Sequence, residues 1–89
     1  MEKYQCPVCG YPDLDEPPYD PITNASSFNI CPCCGCEYGY NDATPWAKQN
    51  HLLKWIKSGA PWFSPKRKPP GWDVKEQLRK AGIPFEDIL

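Results

Sequence analysis

The sequence predicts a small α+β domain held more by a staple than by an apolar core, and three observations lead there. The 89 residues include 12 prolines and 6 cysteines, so long stretches cannot be regular secondary structure and need tying down. A chain of this size buries only roughly 60–65% of its unfolded surface, and 40% hydrophobic residues leave little core to build. Finally, residues 44–59 and 73–82 carry helix start and stop residues, whereas Pro12–Phe28 cannot be a helix. The expected organisation is one domain over 1–89: a cysteine-rich part at 1–43 with short β-strands, then a helical, Trp-rich extension at 44–89.

Residues 4–11 read Tyr-Gln-Cys-Pro-Val-Cys-Gly-Tyr and residues 29–38 read Asn-Ile-Cys-Pro-Cys-Cys-Gly-Cys-Glu-Tyr. Both contain C-P-x-C-G, a turn that proline pre-orders and glycine lets reverse. Between them, Pro12, Pro17, Pro18, Pro21 and the acidic run Asp13-Leu14-Asp15-Glu16 predict a long loop, with a short strand near Ser27–Ile30. In the first helix Thr44 is the expected N-cap and Pro45 the first helical residue, with Gly59 in the left-handed position after the end and Pro61 beyond it. Trp46, Leu52, Leu53, Trp55 and Ile56 share about half its circumference. A second Pro-rich loop covers residues 61–72. Asp73 then caps a short helix, with Glu76 placed to reach back to it, Leu78 and Ala81 facing inward, and Gly82 and Ile83 suited to a Schellman end. The apolar residues of Phe85-Glu86-Asp87-Ile88-Leu89 are expected to dock.

Several classes are excluded. No run approaches the roughly 18 apolar residues of a spanning helix, proline density excludes a coiled coil, and the length excludes a large α/β enzyme. Aromatic content of 13% and a net charge of −1 argue against wholesale disorder. The charge is nonetheless divided: residues 1–44 hold one base and seven acids, residues 45–89 nine bases and four acids. Either the halves attract each other across the fold, or the basic half meets an anionic partner. Met1–Cys6 lacks a basic stretch leading into an apolar one, so the expected location is a reducing cytoplasm, where disulfides rarely persist.

In that setting the cysteine spacing reads as metal binding. Cys6-x2-Cys9 and Cys31-x2-Cys34 supply four thiolates on two knuckles, the donor set of a tetrahedral structural Zn(II) site, one ion per chain. Zinc is preferred over iron. Four ligands leave no open position, so the expected role is structural. Cys33 and Cys36 also stand in a C-x2-C relation and rival this assignment, but Cys31 and Cys34 align with the first knuckle. Cys33, at the variable turn position, can point outward or fill space, and Cys36 can lie inward. His51, the single histidine, is expected at the boundary of the first helix.

Cys6-Pro7-Val8-Cys9-Gly10-Tyr11, Leu14-x-Glu16-Pro17-Pro18 and Ile30-Cys31-Pro32-Cys33-Cys34 followed by Glu37 resemble the small bacterial cysteine-rich CPCC zinc-ribbon proteins. The doubled cysteine falls in the second knuckle here, and Gly35-Cys36-Glu37-Tyr38-Gly39-Tyr40-Asn41-Asp42 replaces the usual aromatic–acidic run after it. The resemblance, over about residues 4–42, implies a bacterial cytosolic zinc ribbon.

No Ser/His/Asp constellation or open metal site is visible, so the chain is expected to act by binding and not by catalysis. The first expectation is an adaptor meeting a protein partner through Trp46, Trp55, Trp62, Phe63 and Trp72. An alternative is single-stranded RNA or DNA, bound by Lys66, Arg67 and Lys68 between Trp62, Phe63 and Trp72. Another is thiol redox or metal handling by Cys33 and Cys36. No membrane or small-molecule substrate is indicated.

Overall fold

Thr44 and Pro45 start the first helix where their chemistry predicts. In the computed structural model, which describes residues 3–84, α1 runs Pro45–Lys57 and α2 runs Val74–Ala81, with a 3₁₀ turn at Pro65–Arg67 between them. The Thr44 hydroxyl accepts from the Ala47 N–H at 3.0 Å. At the other end Gly59 takes φ +99°, and the Ala60 and Gly59 N–H groups bond the carbonyls of Trp55 and Ile56 at 2.8 and 3.1 Å. That is a Schellman end. The tail Phe85–Leu89, expected to dock, lies outside the described residues.

Only the C-terminal part of α1 faces the core. Leu52, Trp55 and Ile56 are buried, whereas Trp46 is 75% exposed. The apolar stripe predicted from residue 46 onward therefore stops short, because the first turn extends past the surface that α1 covers. In α2, Asp73 accepts from the Glu76 N–H at 3.2 Å, and Ile83 N–H reaches the Leu78 carbonyl at 3.0 Å past left-handed Gly82. The Glu76 carboxylate turns to Lys80, 3.2 Å away at i+4, not back to the cap. No helix among the described residues is long and apolar enough to cross a membrane.

The two knuckles are near copies in their main-chain bonding. Cys6 N–H bonds the Tyr11 carbonyl and Gly10 N–H the Cys6 carbonyl; Cys31 to Cys36 and Gly35 to Cys31 repeat the pattern, all at 2.8–2.9 Å. Around them the expected short strands shrink to isolated antiparallel bridges, Tyr4–Leu14, Tyr19–Ser26 and Ile30–Glu37. The expected strand at Ser27–Ile30 is broken by Phe28, whose φ of +60° leaves the extended region. Prolines 12, 17 and 18 remove ladder donors elsewhere. The Pro-rich loop turns on Asp20, whose carboxylate accepts from Ile22 and Thr23 N–H. Those two bonds hold the Asp20 carboxyl below the usual carboxylate range.

The core joins the cysteines to an aromatic row. Trp62 meets Tyr11 edge-on at 5.4 Å and Trp72 at 5.2 Å, and Trp72 lies 6.2 Å from Trp55. Residues from both knuckles, both helices and the second Pro-rich loop thus share one buried cluster.

Gly10 and Gly35 occupy equivalent knuckle positions at φ +83° and +73°, but their surroundings differ. A Cβ on Gly10 would lie 2.5 Å from the Ala81 Cβ, whereas one on Gly35 would meet Phe63 at an ordinary 3.5 Å. Gly35→Ala is expected to cost the left-handed penalty of about 1–2 kcal/mol. Gly10→Ala should add about 1–3 kcal/mol for pushing α2 off the first knuckle. Urea unfolding of the two variants, at equal metal loading, measures the difference.

Candidate metal centre

The knuckle turns bring the Sγ atoms of Cys6, Cys9, Cys31 and Cys34 within 4.8 Å of one another, and all four residues are buried. Cys6 and Cys34 sulfurs are 3.9 Å apart, Cys9 and Cys31 sulfurs 3.8 Å. A tetrahedron with metal–sulfur bonds of about 2.3 Å has edges of about 3.8 Å, so the donor set fits a four-thiolate ion. Main-chain N–H groups support the sulfurs: Val8 donates to Cys6 at 3.4 Å, and Cys34 N–H acts on Cys31.

With protons alone to share, the cluster is electrostatically uneven. Hydrogen bonds from Cys34, Cys6 and Cys9 push the Cys31 thiol far down. Hydrogen bonding to Cys31 raises Cys34 and Cys9 in return, and Cys6 is raised chiefly by burial. A dication at the centre would remove this unevenness, since every sulfur could then be a thiolate.

Cys33 and Cys36 do not join the four. Both are fully buried, which overturns the outward orientation considered for Cys33. The Gln77 Nε2 lies 3.5 Å from the Cys33 Sγ. Burial, followed by the charge of Asp42, pushes the Cys36 thiol above its ordinary range. Buried thiols away from cations are poor nucleophiles.

The helical part holds the knuckles by their backbones. Gln77 Nε2 donates to the Cys9 carbonyl at 2.9 Å, and His51 Nε2 lies 3.0 Å from the Cys34 carbonyl, which requires the tautomer protonated at that nitrogen. Phe63 and Ser64 N–H bond the carbonyls of Cys33 and Pro32 at 3.2 and 2.8 Å. The boundary position expected of His51 carries no sign of this role, and that of Gln77 emerges only in the fold. The signal for Gln77 was its position on the Val74–Leu78–Ala81 face, a polar residue inside an apolar stripe.

Tyr38 likewise emerges only in the fold. It is buried, and its hydroxyl finds no hydrogen-bond partner among the described residues. Burial, and then the sulfurs of Cys6 and Cys31, hold its phenol protonated. A buried hydroxyl left unmatched costs about 1–3 kcal/mol.

The second Pro-rich loop does not present the surface expected of it. Trp62 is only 9% exposed and belongs to the core, because its ring fills the gap between Tyr11 and Trp72. Trp72 is half-buried, with its indole N–H on Gln77 at 2.8 Å and the Lys68 ammonium 5.7 Å over the ring. Arg67 reaches the Tyr11 hydroxyl at 3.2 Å and the Asp13 carbonyl at 3.3 Å, and its guanidinium pairs with Asp15 at 3.6 Å. Lys3 pairs with Asp15 as well, at 2.7 Å. Part of the divided charge is therefore used in joining the halves. Phe63, at 59% exposure, and Lys66 remain open to solvent.

The described residues thus form a small fold with two α-helices, little strand and a buried group of four cysteines able to hold a metal ion. The chain belongs to the same family as two uncharacterised Bacillus subtilis proteins, YoaQ and YozI. It is 31% identical to YoaQ over 101 aligned positions, covering 97% of this chain and 80% of YoaQ. To YozI it is 31% identical over 105 positions, covering 97% and 79%. No family profile matches the chain, so the likeness to CPCC ribbons rests on the motif residues alone. No solved structure matches it.

Proposed function

We propose that the chain is a zinc-ribbon-like binding module in which one Zn(II), held by Cys6, Cys9, Cys31 and Cys34, is structural and catalysis plays no part. The observation that carries this reading is four buried thiols within 4.8 Å of one another, with the Cys6–Cys34 and Cys9–Cys31 pairs at 3.9 and 3.8 Å. Such a donor set fills the coordination of zinc and excludes water. A cytoplasmic setting suits six unpaired cysteines.

A protein is the partner we favour. Trp46, Tyr40, Phe28 and Phe63 are all more than half exposed, and aromatic side chains of this kind anchor protein interfaces. The nucleic-acid alternative has less to stand on, because Trp62 is buried and Arg67 is engaged with Tyr11 and the acidic loop. Thiol chemistry at Cys33 and Cys36 likewise lacks access.

Elemental analysis of the purified protein tests the metal reading. One zinc per chain is expected; none would overturn it, and two would bring Cys33 and Cys36 into the ligand set. Binding to single-stranded RNA or DNA that vanishes in Lys66/Arg67/Lys68→Ala would favour the nucleic-acid alternative instead.

A further inference from the structure

The two knuckles are pinned at equivalent atoms by different helices. Within each knuckle the glycine N–H bonds the carbonyl of the leading cysteine, Gly10 to Cys6 and Gly35 to Cys31, both at 2.9 Å. That pattern leaves the carbonyl of each trailing cysteine, Cys9 and Cys34, to another donor. Gln77 Nε2 of α2 takes the first at 2.9 Å, and His51 Nε2 of α1 lies 3.0 Å from the second. The Cys9–Gly10 peptide unit is therefore held at both ends, its N–H by the Cys6 carbonyl and its own carbonyl by Gln77. The Cys34–Gly35 unit is held likewise by Cys31 and His51. Because a peptide unit is planar, two such bonds fix the plane that contains the trailing cysteine's Cα and restrict where its Sγ can point. Gln77 is itself oriented: its Oε1 accepts from Trp72 Nε1 at 2.8 Å, which turns the amide nitrogen to the knuckles, on the Cys9 carbonyl and 3.5 Å from the Cys33 Sγ. The helix fits closely here, since a Cβ on Gly10 would lie 3.3 Å from the Gln77 carbonyl.

We propose that Gln77 and His51 are paired positioning residues of the metal centre, one from each helix, which aim the sulfurs of Cys9 and Cys34 and so couple helix docking to metal affinity. This rests on the reading of the four cysteines as a metal site. An ion needs all four sulfurs at the corners of one tetrahedron. A donor set already ordered binds more tightly than one the ion must order itself. Each helix orders one trailing cysteine, so neither knuckle is complete until both helices are seated. The coupling is reciprocal: an ion that gains from docked helices stabilises their docking by the same factor. Residues that orient metal ligands from outside typically change metal affinity about 10–100-fold.

Gln77→Met and His51→Phe keep bulk and remove the donor, whereas His51→Gln keeps a donor at the same reach. Lys75→Met, at an exposed position of α2, is the control. Each protein is loaded with cobalt(II) and compared with wild type by competition against a chelator and by the visible d–d bands, which report the geometry of the four sulfurs. The two donor-less variants are expected to bind one ion with affinity lower by about 10–100-fold and with shifted bands. His51→Gln should restore most of both, and Lys75→Met should match wild type. Loaded donor-less variants with wild-type affinity and bands overturn the proposal, and so does a His51→Gln no better than His51→Phe. If the donor-less variants do not fold, nitrogen-15 NMR of the zinc-loaded wild type decides. Side-chain N–H protons of Gln77 and His51 that exchange slowly support the contacts, and exchange at the solvent rate overturns them. A wild type that takes up no metal defeats the metal reading itself, and this inference falls with it; uptake indifferent to Gln77 and His51 defeats only the inference.

Discussion

Cys31→Ser is expected to abolish metal retention and, with it, cooperative folding. Structural zinc binding contributes about 10–16 kcal/mol in small zinc-finger peptides, comparable to the whole stability of an ordinary domain at about 5–15 kcal/mol. Here the four cysteines belong to the buried cluster, which Tyr11, Val8 and Tyr38 share. Losing the ion thus removes the staple and leaves buried thiols competing for protons. Far-ultraviolet circular dichroism and tryptophan emission, followed as a chelator strips the wild type, should show the same loss without mutation. Cys36→Ala provides the contrast. It should keep one metal per chain and lose on the order of 1 kcal/mol, the scale of an ordinary packing change. If Cys31→Ser melts with the wild-type midpoint, the cluster is not what holds the fold.

Trp62→Ala is expected to cost about 3–5 kcal/mol, as buried aromatic truncations do. Its ring touches both Tyr11 from the first knuckle and Trp72 from the second Pro-rich loop, so the cavity would open where the parts meet. Trp46→Ala should change stability by less than about 0.5 kcal/mol, because that indole is 75% exposed. The indole nitrogens sharpen the comparison. Trp55 Nε1 donates to the Pro61 carbonyl at 2.8 Å, whereas the Trp62 Nε1 is buried with no partner among the described residues. Trp55→Phe should therefore cost about 1 kcal/mol for the lost bond, a loss that Trp62→Phe does not share. Equilibrium denaturation followed by circular dichroism measures all four. Equal costs for Trp46→Ala and Trp62→Ala would contradict this division of the tryptophans.

The expected surface around Lys66–Lys68 failed for a specific reason. The residue order puts Trp62, Arg67 and Trp72 close together along the chain, but does not show which of them the fold uses up. Arg67 turns toward Tyr11 and Asp15, some fifty residues earlier in the chain, and Trp62 turns inward. The short strands failed for a local reason, the left-handed Phe28, that no propensity at a bulky aromatic residue would announce.

What the sequence determined by itself was local chemistry. The C-P-x-C-G units specify two reversing turns with main-chain bonds to match, and Thr44, Gly59, Asp73 and Gly82 set the limits of α1 and α2. Spacing also singled out Cys6, Cys9, Cys31 and Cys34, the four that come together. The tertiary structure alone decided what lies around those elements. It turned Cys33 inward, set Gln77 and His51 on knuckle carbonyls, and buried Trp62 and Tyr38 while leaving Trp46 in solvent. Caps and turns are closed by residues a few positions apart, so their partners can be read in order along the chain. Burial and the choice of a distant hydrogen-bond partner depend on which surfaces meet, and that is settled only when the helices close over the knuckles.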